Sequence, residues 1–220
     1  MRFPAKLLLL LIALGFSACA PSVLVKPLKP GERLLSAHAG GPMIQFAGIP
    51  MPVPLSGVDY QYGLRERISV GGGIGLTSLL FGTFQWNAAA TIGLIPEENS
   101  LKTGLSAFGK GHFLVDKWEK EFRFYPEAGF HVYRQTGNQR WYLGASAWFE
   151  TQYSGRKRTN TNLWVPMLQA GWQRAEGKWR PVLEVKWIAP GQVSDNLVVD
   201  YIGISGRGTL GLYVGISKSF

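Results

Sequence analysis

From residue 33 to the carboxyl terminus the chain alternates apolar residues with small or polar ones at a period of two. Turn residues break the alternation every ten to fourteen positions. A strand turns successive side chains to opposite faces, so each such run is a ribbon with one apolar and one polar face. No stretch of this region carries the 3.6-residue spacing of an amphipathic helix, so the pattern predicts an all-β domain. The last twelve residues are the clearest example. Leu210, Leu212, Val214, Ile216 and Phe220 fall on one face, with Thr209, Gly211, Tyr213, Gly215, Ser217 and Ser219 on the other. Lys218 shares the apolar face and marks its end.

Ten strands are predicted: 33–46, 58–64, 68–77, 84–94, 101–113, 122–133, 141–150, 163–174, 179–187 and 209–220. The phase of the first is ambiguous, residues 48–57 read as a proline-rich loop, and 197–204 is a possible further short strand. Pro126, Pro166 and Pro181 lie inside predicted strands, where each removes a ladder donor. An up-and-down antiparallel barrel of about ten strands, with eight to twelve possible, is the expected architecture.

The amino terminus reads as processing signal. Arg2 and Lys6 form a basic region, and residues 7–16 are an apolar core too short to span a bilayer. Phe16-Ser17-Ala18-Cys19 follows, with the only cysteine of the chain. This segment resembles a bacterial lipoprotein signal. The resemblance implies that residues 1–18 are removed and that Cys19 receives a diacylglycerol and further acylation (palmitate in type). Two acyl chains make anchoring stable where one is marginal. Ala20, in place of an Asp, implies sorting to the outer membrane in lipoproteins of the enteric type. Residues 19–32, with Lys26, Pro27, Lys29 and Pro30, then read as an extended tether, leaving 33–220 as the barrel domain.

The closing strand with its terminal Phe220 resembles that of bacterial outer-membrane β-barrels. That resemblance implies that Tyr213 and Phe220 belong to a signal read by barrel-assembly machinery, with lipoprotein-sorting machinery as a second partner. A lipid at Cys19 and an even strand number place both termini on the periplasmic side. The turns at 65–67, 95–99 and 175–178 are then periplasmic, and the longer loops 153–161 and 190–207 lie outside.

Alternation alone leaves two orientations open. In a tethered soluble barrel the apolar face would line a cavity for an apolar ligand; in a membrane barrel it meets lipid. Three observations favour lipid. The second face is rich in Gly, Ser and Thr, and the chain has 28 Gly and only 17% charged residues, where about 25% is usual for soluble domains. Trp164 and Trp172, and likewise Trp179 and Trp187, stand eight residues apart on the apolar face. That is roughly 20 Å along the membrane normal, near the spacing of aromatic girdles. The lipoprotein-like start and aromatic end point the same way. After loss of Arg2 and Lys6 the chain keeps 21 basic against 14 acidic residues. For an exported chain this favours anionic lipid and lipopolysaccharide as partners over nucleic acid.

The predicted interior gathers ionisable side chains: Asp59, Lys102, Lys110, His112, Arg123, Glu127, His131, Glu150, Arg180, Glu184 and Lys186. A charge-paired polar filling is the expectation, because buried charges need partners. Ten strands leave little room for a wide channel. Some outer-membrane barrels are lipid A-modifying enzymes that use a His with a Ser or an acid. Here His38, His112 and His131 have no Ser or Asp at a telling spacing, and no catalytic residue is assigned. No His/Cys spacing indicates a metal, and Gly71-Gly72-Gly73 lacks the helix that a phosphate loop needs, so no cofactor is expected. Arg156-Lys157-Arg158 in an outer loop is a candidate contact for lipopolysaccharide phosphates. The expected function is a structural or surface-interaction role in the outer membrane, without catalysis.

Overall fold

The computed structural model describes residues 24–97, 102–118, 120–151, 163–193 and 200–220. Ten long strands pair antiparallel, each with its chain neighbours: β1 (Arg33–Phe46), β3 (Leu55–Arg65), β4 (Ile68–Gly75), β5 (Thr83–Ile95), β6 (Thr103–Asp116), β7 (Phe122–Thr136), β8 (Gln139–Phe149), β9 (Trp164–Arg174), β10 (Trp179–Val193) and β11 (Arg207–Ser219). β11 also pairs with β1, from Leu34 opposite Ser219 to Pro42 opposite Gly211, so the sheet closes on itself. An additional short strand, β2 (Ile49–Pro52), pairs only with the far end of β1.

The predicted loop 48–57 is therefore mostly strand. Ala47 and Gly48 both have positive φ, the geometry of a two-residue hairpin turn, and they fold β2 back onto β1. Ile202 and Gln45 extend this outer sheet through backbone bonds to Met43 and Asp200, and Ile44 bridges Tyr201. Within the predicted strand 197–204 only these last residues are described. The strand predicted over 68–77 ends two residues early. Leu76–Leu80 forms a one-turn helix, α1. Thr77 accepts from the Ser56 backbone, and Ser78 donates to the Gly75 carbonyl. Such local side-chain bonds compete with the ladder.

The alternating faces settle the orientation. On β10, Glu184 is fully buried and Lys186 nearly so, while Leu183 and Val185 are 45% and 44% exposed. The same division runs through Asp59 against Tyr60 and Tyr142 against Leu143. The apolar face points outward and the polar face inward, which inverts the distribution of a soluble barrel and is the distribution of a transmembrane β-barrel. Among the described residues most of the buried inner face is polar or charged, unlike the apolar lining that an apolar ligand in a soluble barrel would need.

Register also accommodates the three prolines. Pro126 faces Gly111 of β6, but the pairing of β7 with β8 starts only at Glu127. Pro166 faces Ala147 of β8 and lies one residue beyond the last β9–β10 pair, Met167 with Ile188. Pro181 faces Ile216 of β11 and precedes the first β10–β9 pair, Val182 with Gln173. A closed barrel has no free edge strand, yet its stagger leaves each strand end paired on one side only. The missing N–H groups fall at those ends.

Candidate functional site in the barrel lumen

The lumen is filled in three layers. At the end that holds the tight turns and the start of β1, it is closed by the chain's own residues from Leu24 to Glu32. The tether expected to be extended is here a strap that follows the inner wall. The backbone N–H of Gly31 donates to the Gly63 carbonyl of β3, and the Gly63 N–H donates to Glu32, both at 2.9 Å. A Cβ at Gly63 would strike the Lys29 carbonyl, so only glycine permits this approach. The Leu28 N–H donates to Ser69 Oγ of β4 at 2.8 Å, and Lys26 pairs with Glu97 after β5. Ser106 Oγ of β6 donates to the Val25 carbonyl at 2.6 Å. The Val25 side chain, with no exposure, packs on Tyr133 of β7 and Tyr142 of β8. Full burial of Val25 and Leu28 is worth roughly 1.5–3 kcal/mol each. Beside the strap, a cavity of about 640 Å3 is lined by Glu32, Ser36, Arg140, Arg180 and Ser217 among others.

The middle layer is the charged belt. His112 Nε2 lies 2.9 Å from Glu127 Oε2, and Ser146 donates to Glu127 Oε1 at 2.9 Å. Tyr142 donates to Glu184 Oε2 at 2.6 Å, and Lys186 Nζ lies 3.4 Å from Glu184 Oε1 and over the Tyr213 ring. His38 Nδ1 is 3.0 Å from Asp59, which also accepts from Asn87 at 3.1 Å. Lys110 lies within electrostatic reach of Asp59, Glu127 and Glu184. His131 meets Gln169 at 2.7 Å and stacks on Phe108. Three carboxylates thus face two ammonium groups and three imidazoles in a space withdrawn from water, the arrangement in which ion pairing holds buried charge.

Towards the opposite end the lumen turns apolar. Met167, Ile188 and Tyr213 form a buried cluster with Trp148, Val165 and Ala189 packed on it. This gives a place to Val165 and Met167, whose apolar character on the inner face of β9 runs against the alternation.

Of the predicted interior residues, Asp59, Lys110, His112, Glu127, His131, Glu184 and Lys186 meet in the belt. Lys102 does not. It precedes β6, has a positive φ of 50° and is exposed, because the strand starts one residue later. Arg180 sits at the strap end, 2.6 Å from Glu32, and Arg123 pairs with exposed Glu121 at the other rim. Glu150 lies just past β8 and is half-buried. Gln61, Asn87, Tyr142 and Gln169 are buried in the lumen, as their place on the polar face of their strands predicts. Arg140, just before the predicted start of its strand, is a further lumen residue, and its parity with Tyr142 was the signal. His38 was out of reach because β1 mixes Ala and Gly on both faces.

Trp164, Trp172, Trp179 and Trp187 all lie on the outward face. Trp164 and Trp187 stand near the loop-rich end, and Trp172 and Trp179 near the strap end. Lys218 Nζ covers Trp179 and Phe220, as a rim residue would. The Phe220 N–H donates to the Arg33 carbonyl at 3.0 Å while its ring is exposed, and Tyr213 is buried in the lumen. Cys19 and Arg156-Lys157-Arg158 lie outside the described residues.

Ser146 donates to Glu127, the same carboxylate that holds His112, so the hydroxyl has no imidazole base. Among the described residues no cluster of His, Cys, Asp or Glu is suited to a metal ion.

No family model matches the sequence, and no curated protein matches it. Among solved structures the chain is similar to the NanC porin, at 8% identity and a TM-score of 0.47 over 84% of this chain and 98% of that one. It is also similar to the translocator domain of the autotransporter NalP from Neisseria meningitidis, at 10% identity and 0.47 over 86% and 88%. A third is an outer membrane channel from Pseudomonas putida F1, at 9% and 0.43 over 91% and 100%. By its own strand pairing and side-chain distribution the chain is a closed ten-stranded transmembrane β-barrel with an occupied lumen.

Proposed function

We propose that the protein is a lipid-anchored barrel of the bacterial outer membrane, held by Cys19 on the periplasmic side, whose packed lumen is a structural core and whose outer loops make its contacts. The observation that carries the membrane part of this reading is the burial of Glu184 and Lys186 beside exposed Leu183 and Val185 on one strand; the anchor rests on the resemblance of residues 1–19 to a lipoprotein signal. A wall that is apolar outside and charge-paired inside is stable only with hydrocarbon around it. On this reading the barrel-assembly and lipoprotein-sorting machineries are its partners, and anionic lipid and lipopolysaccharide suit the basic charge. The test is detergent dependence. Protein with Cys19→Ser and no signal segment should need detergent to stay dispersed; a soluble monomer without detergent would overturn the reading.

The basic run Arg156-Lys157-Arg158 is proposed as a contact for lipopolysaccharide phosphates. Replacing all three by Ala should lower lipopolysaccharide co-purification, and unchanged co-purification would exclude the contact. A lipid A-modifying activity finds no support in the lumen. Unchanged lipid A masses in cells with and without the protein are expected.

A further inference from the structure

The outer wall near the strap end carries a groove of about 470 Å3, lined almost wholly by apolar side chains of β7–β10. Register explains it. Val132, Leu143, Ala170 and Val185 stand side by side across four strands, and the next row holds Trp141, Trp172 and Leu183. Ala170 is the small member of its row. It leaves a notch between Leu143 and Val185, with the two Trp rings as one wall.

The strap approaches the same sector from inside. It passes β3, β4, β5 and β6 in turn and reaches Tyr133 and Tyr142 of β7 and β8 at Val25. Val132 and Leu143 are the next residues along these strands and face outward, so Val25 and the groove lie on opposite sides of one wall. Cys19 precedes Leu24 by five positions in the chain, a reach of about 17 Å when extended. Tyr142 is three residues from the end of β8, about 10 Å along the strand. That span puts the rim at β7–β10 within reach of a lipid on Cys19, from which acyl chains entering the bilayer would run along the wall.

Resting on the lipidation reading above, we propose that the acyl chains on Cys19 seat in this groove over Ala170, so that the strap inside and the lipid outside clasp one sector of wall. The occupant is saturated hydrocarbon supplied by the chain itself. Its tether raises the local concentration of that hydrocarbon far above that of bulk lipid.

The test uses the full-length protein made in cells and extracted from membranes, with a photoreactive benzophenone amino acid at Leu143 or, as a second position, at Val185. Val70, outward on β4 across the barrel, is the control. After illumination, mass spectrometry reads cross-links between the probe peptide and the lipidated Cys19 peptide. The yield at Leu143 or Val185 is expected to exceed that at Val70 by about tenfold or more. Equal yields with lipid present on Cys19, or cross-links to bulk lipid alone, would overturn the seat while leaving the anchor intact. A Cys19 peptide without added lipid mass would overturn the anchor and the seat together.

Discussion

Glu184 shows how much depends on single residues in this lumen. Its carboxylate has no exposure, accepts from Tyr142 and faces Lys186. Removing it leaves an ammonium group and a phenol in a dry site, and breaking a buried pair in this way costs about 3–5 kcal/mol. Glu184→Ala should lower stability by that amount in detergent-solubilised unfolding with urea, whereas Val185→Ala on the outer face should change it little. At the strap, Glu32 offers a pH test. Burial raises its pKa, but hydrogen bonds from Arg180, the Lys29 backbone and Ser219, with the charge of Arg180, outweigh that and hold it below the ordinary 4.5. A lowered carboxylate pKa stabilises the folded form above the ordinary value, and the contribution disappears as pH falls through the folded one. Wild-type protein should melt higher than Glu32→Gln at neutral pH, with the gap closing as pH drops below about 4.5. A gap that stays constant to acid pH would show that the carboxylate charge does not hold the strap.

At the scale of the element, the placement of proline separates strand ends from strand middles. Pro166 pairs on one side only, whereas Leu168 pairs with Ala145 on one side and Trp187 on the other. Pro166→Ala should leave the folded, heat-modifiable band on gels unchanged. Leu168→Pro removes a donor from the doubly paired part of the wall and should abolish that band. Strand existence and inward or outward parity were legible because alternation is written residue by residue. The positions of these prolines relative to both neighbours were not, because stagger belongs to pairs of strands. The same reason hid β2. Its turn is Ala47-Gly48, and nothing local to a run rich in proline announces that it folds back on β1.

For the whole molecule, the sequence of layers from strap through charged belt to apolar cluster predicts a barrel closed to solutes. Proteoliposomes containing it should swell in small sugars no faster than empty vesicles, even at protein densities where an open porin collapses the gradient. Swelling comparable to a porin would mean that the strap leaves the lumen in the membrane.

By itself the sequence determined that this chain makes about ten two-faced strands, that one face is apolar, and that Asp59, Lys110, His112, Glu127, His131, Glu184 and Lys186 share the other. Each of these follows from the period of two, a property of every strand alone. Which residues meet was decided only by closure: Tyr142 with Glu184, His38 with Asp59, and Val25 between Tyr133 and Tyr142. These partners lie on different strands or on the strap, and only the register and stagger that close the sheet bring them into one lumen.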